Sequence, residues 1–387
     1  MTARHPAVGH LVSPYLFPTG SWIHSQLMHA HASRPVVITQ SLENPKDFPF
    51  DPVYLAGDLS TGIERARNAV QRWTGSFVAA PYRRIVRRHG LDLFHAHTGW
   101  EAARTAAVAR ACAIPLVASF YGRDVSALPR KLYWRVLYRR LFATADLFLV
   151  EGPHLGRSLA RLGCPEAKIR TVHLGVDLER IPVRTETPHD GPARLLMSAS
   201  LREKKGIAFA LQALARCRDV PPWSLRILGD GPLRPALEAM TDDLGLRPRV
   251  TFEGHVPYSK HLEALRGSDI FLAPSTVGSD GDTEGGAPVA LIEAQAAGIP
   301  AVATRHCDIP EVVLDGRTGV LVAEKDAGAL AAAIAELLRR PETWPEIGRE
   351  ARRHIEEEFD VKRQVAKTEE LYLDVLDRAR PAAGASR

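Results

Sequence analysis

Nowhere in this chain of 387 residues do apolar side chains run unbroken for the roughly 18 positions that a membrane-spanning helix needs. No spanning segment is expected. The opening residues, MTARHPAVGHLVSPYLF, lack the charged start, apolar run and small-residue cleavage site of a secretory signal, so a cytoplasmic protein is expected. Cysteine is scarce: Cys112, Cys164, Cys217 and Cys307 lie far apart and form no C-x-x-C pair. Isolated thiols of this kind fit a reducing compartment and core packing. The second half has a G-D-G-P turn where a dinucleotide site would carry G-x-G-x-x-G, which argues against such a site there. There is no internal sequence repeat, and no low-complexity tract beyond the small, polar tail AAGASR.

What is present suits a soluble globular protein of two domains. The apolar share is 45% and the charged share 25%, and the length suits two cores of roughly 150–200 residues each. The net charge of +5 is unevenly spread. Arg65, Arg67, Arg72, Arg83, Arg84, Arg87, Arg88, Arg130, Lys131, Arg135, Arg139 and Arg140 cluster with few acids between them. A positive face attracts anionic lipid, nucleic acid or polyphosphate.

Short β-rich runs alternate with amphipathic stretches, which predicts an α/β protein with parallel sheets. In the first half the predicted strands are 34–40, 91–97, 115–121, 145–152 and 169–175, with helices near 99–111, 130–143 and 153–163. Residues 181–193, IPVRTETPHDGPA, read as a linker. The second half continues with strands at 193–200, 224–230, 249–254, 270–275, 300–305 and 318–324, helices at 206–218, 232–244, 258–267, 288–298 and 326–340, and a charged helical stretch over 343–379. Doubly wound domains bind ligands at the carboxyl ends of their strands, so the loops after the strands are the places to look.

Four features of the second half lie at such positions. Ser200-Leu201-Arg202-Glu203-Lys204-Lys205-Gly206 places cations between a strand and a helix N-terminus, a combination that suits pyrophosphate. Gly229-Asp230-Gly231-Pro232 is a tight strand-to-helix turn whose glycines let backbone approach a ligand. At Gly254-His255-Val256 a strand ends in a turn whose backbone suits a base edge. The fourth, Ser279 to Glu293, is a glycine-rich loop entering a helix, with Glu284 in the loop and Glu293 on an otherwise apolar helix. Free N–H groups at that helix start suit sugar hydroxyls or phosphate. A buried carboxylate needs partners, and ribose hydroxyls would supply them to Glu293. Asp280 and Asp282 imitate a D-x-D metal motif, but loop aspartates beside glycine are usually turn formers, and no metal is expected.

The segments HAHTGWEA, FYGRDVS, LGVDLER, LREKKG, LGDGP, TFEGHVP, FLAPS, EGGAPVALIEAQAAGIPAVAT and IPEVVLDGRTGVLV occur in an order that resembles the retaining glycosyltransferases of family 4 over nearly the whole chain. The resemblance is strongest to the bacterial exopolysaccharide branch with its colanic acid and amylovoran enzymes. It implies a GT-B fold, two Rossmann-like doubly wound domains facing across a cleft. The expected limits are 1–185 for an acceptor-side domain and 193–358 for a nucleotide-sugar domain, with a helix at 359–380 packing back on the first. It implies hexose transfer from a nucleotide-diphosphate sugar to a saccharide or lipid-linked acceptor, without a cofactor. Lys205 matches the family's pyrophosphate lysine. Glu284 and Glu293 match its E-x7-E pair at the donor hexose and the ribose. The backbone of Gly285, Gly286 and Ala287 would hold donor sugar and phosphate oxygens, and Gly20 matches the glycine loop that approaches the donor from the first domain.

The sequence also departs from that pattern. Ser200 stands where the family has arginine, and Arg202 is the expected substitute. Glu284 and Glu293 lie one residue further apart than E-x7-E, so the loop must bulge. Tyr121 replaces a donor-contacting histidine, for which His97 or His95 is the expected stand-in. The alternatives are a nucleotide-sugar epimerase of the same fold and a basic nucleic-acid-binding protein. Residues 130–143 mix cations with aromatic and aliphatic side chains, the pattern of a helix that settles on an anionic membrane.

Overall fold

The computed structural model describes residues 5–16, 20–71, 75–184 and 191–379. Arg72, residues 185–190 of the stretch read as a linker, with the expected boundary at 185, and the tail from residue 380 lie outside the described residues. The chain divides into two units, residues 1–175 with 361–387 and residues 176–360. The first crossing thus comes after Gly175, ahead of the Pro- and Gly-rich stretch, because Val176 already belongs to the second unit: its N–H donates to the Phe359 carbonyl at 2.8 Å.

The first unit is built on a seven-stranded parallel sheet. Its strands are β1 (Ala7–Leu11), β2 (Arg34–Thr39), β3 (Val53–Leu55), β4 (Leu93–His97), β5 (Leu116–Phe120), β6 (Leu147–Val150) and β7 (Ile169–Thr171), in the order β3-β2-β1-β4-β5-β6-β7. Helices cover both faces. On one, Phe94, Phe120 and Phe148 pack against Leu137, Tyr138, Leu141 and Phe142 of the helix Leu132–Thr144. On the other, Val8, Leu93, Val117, Leu147 and Leu149 lie under Tyr372 and Val375 of the last helix, Val361–Ala379. β1 and β3 are absent from the sequence expectation, as are the helices Ser21–Met28, Gly62–Gln71 and Ala79–His89.

The second unit has a six-stranded parallel sheet: β8 (Ala193–Ser198), β9 (Trp223–Leu228), β10 (Val250–Gly254), β11 (Ile270–Ala273), β12 (Ala301–Thr304) and β13 (Gly319–Val322), in the order β10-β9-β8-β11-β12-β13. That order reverses between β8 and β11, as it does between β1 and β4 in the first unit. Each reversal opens a crevice at the strand C-termini. The charged stretch after residue 343 forms two helices, Trp344–Glu358 and Val361–Ala379, rather than one.

Candidate functional site

The loops after β8 and β11, which flank the reversal in the second unit, carry Arg202, Lys204, Lys205, Asp280, Asp282 and Glu284. After β8 the chain makes a short 3-10 turn, Glu203–Lys205, and Gly206 takes φ +64° before the helix Ile207–Arg216 starts. A methyl group at Gly206 would stand 1.8 Å from the Pro274 carbonyl oxygen, so glycine lets the two loops touch. Lys205 is thereby brought to the β11 loop, where its Nζ lies 2.7 Å from Glu284 Oε2. The other oxygen, Glu284 Oε1, accepts from the Ser275 hydroxyl at 2.7 Å. Burial works to raise the Glu284 carboxyl, but Lys205 and then Lys204 outweigh it and hold the group below its usual range. The pair is therefore ionised, and a negative ligand entering here competes with Glu284 for Lys205.

Neighbouring groups complete the loop. Lys204 donates to the Thr283 carbonyl at 2.9 Å and lies 3.2 Å from Asp282 Oδ2. Asp280 Oδ1 accepts the Asp282 N–H at 2.8 Å, and Asp282 Oδ1 accepts the Thr283 N–H at 3.0 Å. The D-x-D pair is thus occupied in shaping its own loop. Gly285 takes φ +82°, which accommodates the extra residue between the two glutamates. The N–H groups of Gly286 and Ala287, just before the helix Val289–Ala296, donate to no acceptor among the described residues. Arg202 is exposed, and its guanidinium has no partner among the described residues. An unpaired guanidinium, a lysine and open N–H groups are donors of the kind that suits phosphate.

Glu293 sits deeper, 6% exposed on the helix Val289–Ala296. Its Oε1 accepts from the Tyr258 hydroxyl at 2.8 Å, and its Oε2 accepts from His261 Nε2 at 2.8 Å. His261 Nδ1 lies 3.1 Å from Ser198 Oγ at the end of β8. Burial first, and Glu293 second, push the Tyr258 phenol upward, so it remains a donor. Each oxygen of the buried carboxylate thus has one partner within the unit, from two residues that sequence reasoning missed. Beside them, the Gly229 N–H donates to the Gly254 carbonyl at 2.7 Å, closing the ends of β9 and β10 together. Gly229 has φ +120°, and a methyl group there would meet the Ala199 carbonyl oxygen at 2.0 Å. Gly231 packs in the same way against Leu201 after β8. Ser200 is half-buried in the β8 loop, while His255 and Val256 form the turn before the helix Tyr258–Arg266.

Comparison with known proteins fits this geometry. Residues 181–354 match the family model "Glycosyl transferases group 1" and residues 23–180 match "Glycosyltransferase Family 4". The putative colanic acid biosynthesis glycosyltransferase WcaL of Salmonella typhimurium is 36% identical over 286 residues, 71% of this chain and 69% of that one. The chain belongs to the family 4 glycosyltransferases. The amylovoran biosynthesis glycosyltransferase AmsK of Erwinia amylovora is 34% identical over 248 residues, 63% of this chain and 60% of its own. Among solved structures, Anabaena HepE in complex with UDP and glucose is 18% identical with a TM-score of 0.77, covering 96% of this chain and 100% of the other. That likeness shows the fold, GT-B, with its two Rossmann-like domains. The protein is a hexosyltransferase, and neither the epimerase nor the nucleic-acid-binding alternative is supported.

The first unit of this glycosyltransferase holds the two histidines expected as stand-ins for the donor-contacting histidine. His97 is 1% exposed and both its ring nitrogens are engaged: Nε2 lies 3.0 Å from His10 Nδ1, and Nδ1 lies 2.9 Å from the Tyr121 hydroxyl. Both nitrogens therefore have partners within the first unit. His95 is likewise occupied, by Tyr372 at 2.6 Å and Ser119 at 2.7 Å. Ring nitrogens of His10, His95 and His97 gather within 4.8 Å of one another, and these contacts engage both ring nitrogens of His95 and His97 and Nδ1 of His10. Burial lowers all three imidazoles well below their ordinary value, consistent with neutral rings. Gly20 is buried and caps the helix Ser21–Met28.

Proposed function

We propose that this enzyme moves a hexose from a nucleoside-diphosphate sugar to a growing saccharide with retention of anomeric configuration, in the synthesis of a cell-surface polysaccharide. The observation that carries this reading is the Lys205–Glu284 pair at 2.7 Å beside the open N–H groups of Gly286 and Ala287. As the bond between the anomeric carbon and the diphosphate oxygen breaks, its electron pair stays on that oxygen. Lys205, Arg202 and the 286–287 amides meet the growing charge, a preorganised arrangement that costs nothing at the moment of reaction. The acceptor hydroxyl attacks from the same face and passes its proton to the departing phosphate oxygen. Glu284 contacts the donor hexose, and Glu293 with Tyr258 and His261 faces the ribose. The names of WcaL and AmsK support polysaccharide assembly, and the UDP and glucose of HepE support the donor class.

A panel of UDP- and GDP-sugars, scored by thermal shift and then by release of nucleoside diphosphate with acceptor, tests the reading. Product anomers read by NMR should match the donor; inversion, or a lasting glycosyl-enzyme adduct, would overturn the mechanism. Chelator should leave transfer largely intact, because Asp280 and Asp282 are already committed to the loop and to Lys204.

A second observation favours a membrane-bound acceptor. On the helix Leu132–Thr144, Leu137 and Leu141 turn inward. Leu132, Tyr133 and Val136 are exposed instead, Leu132 at 74%, among the exposed Lys131, Arg135, Arg139 and Arg140. Arg83 and Arg84 contribute less than expected, since Arg83 caps the Ala111 carbonyl and Arg84 pairs with Glu64. No helix among the described residues is long and apolar enough to cross a membrane. This surface would hold the enzyme peripherally on the inner leaflet, where each nearby cation adds about 1 kcal/mol. Sedimentation with anionic vesicles should fall with salt and with Arg135, Arg139 and Arg140 changed to Glu. Equal pelleting with neutral vesicles, or none with either, defeats it.

A further inference from the structure

His306 and Glu324 stand behind the donor loop and have no part in the chemistry above. His306 follows β12, Glu324 follows β13, and His306 is 1% exposed. The imidazole bridges two groups: Nε2 lies 3.2 Å from the backbone nitrogen of Glu284, and Nδ1 lies 2.9 Å from Glu324 Oε1. A backbone N–H only donates, so Nε2 accepts and carries no proton. Nδ1 therefore holds the proton and donates it to the carboxylate. The geometry thus selects one neutral tautomer. Cys307 Sγ lies 3.1 Å from the same Nε2. Burial pushes that thiol up to about 12, so it stays protonated and is a second donor toward Nε2. Glu324 Oε2 accepts from the Thr276 hydroxyl at 3.1 Å and the Val277 N–H at 3.0 Å. Burial works to raise the Glu324 carboxyl; His306 and these donors outweigh it and hold the group lowered and ionised.

One carboxylate and one imidazole therefore grip the β11 loop twice, at its start through Thr276 and Val277 and near its end through Glu284. The Glu284 side chain is in turn the partner of Lys205. We propose that His306 and Glu324 are positioning residues for sugar transfer, a brace that sets the backbone of Glu284, and with it the Glu284 carboxylate and the Gly285–Ala287 amides, at the place the donor must meet. This rests on the reading of residues 284–287 as the donor cradle. The brace acts through acceptor and donor roles rather than bulk. Glu324→Gln keeps the shape but sets an NH2 group against either the His306 Nδ1–H or the Val277 N–H. His306→Gln offers an amide oxygen where Nε2 accepted from Glu284, whereas His306→Ala offers nothing.

The experiment uses the full chain with the nucleotide sugar identified by the donor panel. Variants His306→Ala, His306→Gln, Glu324→Gln and Glu284→Ala are compared for kcat, KM and melting temperature. Displacing catalytic groups by about 1 Å costs up to about a hundredfold. The expected result is a fall in kcat of about ten- to a hundredfold for His306→Ala and Glu324→Gln, with His306→Gln recovering part of the loss. Binding of the bare nucleoside diphosphate should weaken by less than kcat falls, since the Gly286 and Ala287 amides shift while the ribose contacts at Glu293 stay in place. Nitrogen NMR of the wild-type histidines should show His306 as the Nδ1–H tautomer. Wild-type kcat in His306→Ala and Glu324→Gln while Glu284→Ala is impaired overturns the brace alone. Wild-type kcat in Glu284→Ala overturns the donor-loop reading beneath it. A loss that follows melting temperature, with Gln no better than Ala at 306, assigns His306 to stability and also overturns the proposal.

Discussion

Lys205 has two relations that pull apart under substitution: a contact to charge growing on the leaving phosphate, and a salt bridge that keeps the buried Glu284 ionised. Lys205→Ala should cost about 2–4 kcal/mol of transition-state stabilisation, read as kcat/KM, with the fold intact by circular dichroism. Glu284→Ala should harm use of the donor sugar, while Glu293→Gln should also weaken binding of the bare nucleoside diphosphate, measured by calorimetry. Glu101 offers a test that involves no ligand. Burial raises its carboxyl from 4.5 to about 7, against the opposing pull of Arg104 and Ser13. Between those values the folded state holds a proton that the unfolded chain has lost, so stability falls as pH rises through this window and levels off above it. The difference amounts to about 3 kcal/mol. Glu101→Gln should therefore melt like wild type near pH 4 and above it at pH 8. Lys205, Glu284 and Glu293 stood out in the sequence because the first two lie in motifs between a strand and a helix and the third is a lone carboxylate on an otherwise apolar helix. Tyr258, His261, His306 and Glu324 were not, because strand order, not chain spacing, brings them to the carboxylates and the loop.

At the scale of elements, the contact between the β8 and β11 loops depends on one backbone geometry. Gly206→Ala places a side chain at φ +64° and 1.8 Å from the Pro274 carbonyl oxygen. The left-handed conformation alone costs about 1–2 kcal/mol, and relief of the clash must part the loops, carrying Lys205 away from Glu284. A lowered melting temperature together with loss of nucleoside-diphosphate binding is expected; wild-type binding would show that the loops tolerate separation. The same scale explains what the sequence conceals. The strands of the second unit were all legible, since each is a short β-rich run, continuous or alternating, bounded by turn residues. β1, AVGHL, carries a glycine and a histidine in five residues and is buried on both faces, so it shows neither alternation nor a long apolar run. β3 is only three residues long and half-buried. The helix Gly62–Gln71 hides for a different reason: Ile63 and Val70, its large aliphatic side chains, are exposed, so no apolar stripe announces it. The break between the last two helices falls at Phe359 and Asp360, where no proline or glycine marks it.

At the scale of the whole molecule, the first unit is discontinuous: it is completed by a helix that the chain supplies only after finishing the second unit. Tyr372 is 2% exposed against Val8 and Leu93, and its hydroxyl bonds His95 at 2.6 Å. Glu369 accepts from the Ser33 hydroxyl at 2.6 Å. Tyr372→Ala should cost about 3–5 kcal/mol, as removal of a large buried aromatic does, and should leave Nδ1 of the buried His95 without a partner. Hydrogen exchange should quicken in β1, β4 and β5 and stay unchanged in β8 to β13; uniform quickening would mean that the helix supports both units. The discontinuity also bears on how the protein is made. While a ribosome builds the roughly 200 residues between Gly175 and Val375, about 10–40 s at ordinary synthesis rates, Val8, Leu93, Val117 and Leu147 have no lid. The second unit, being continuous, can fold as it emerges. The first presents a bare apolar sheet face to the cell for that whole interval, which makes it the half of this enzyme that would engage a chaperone during translation.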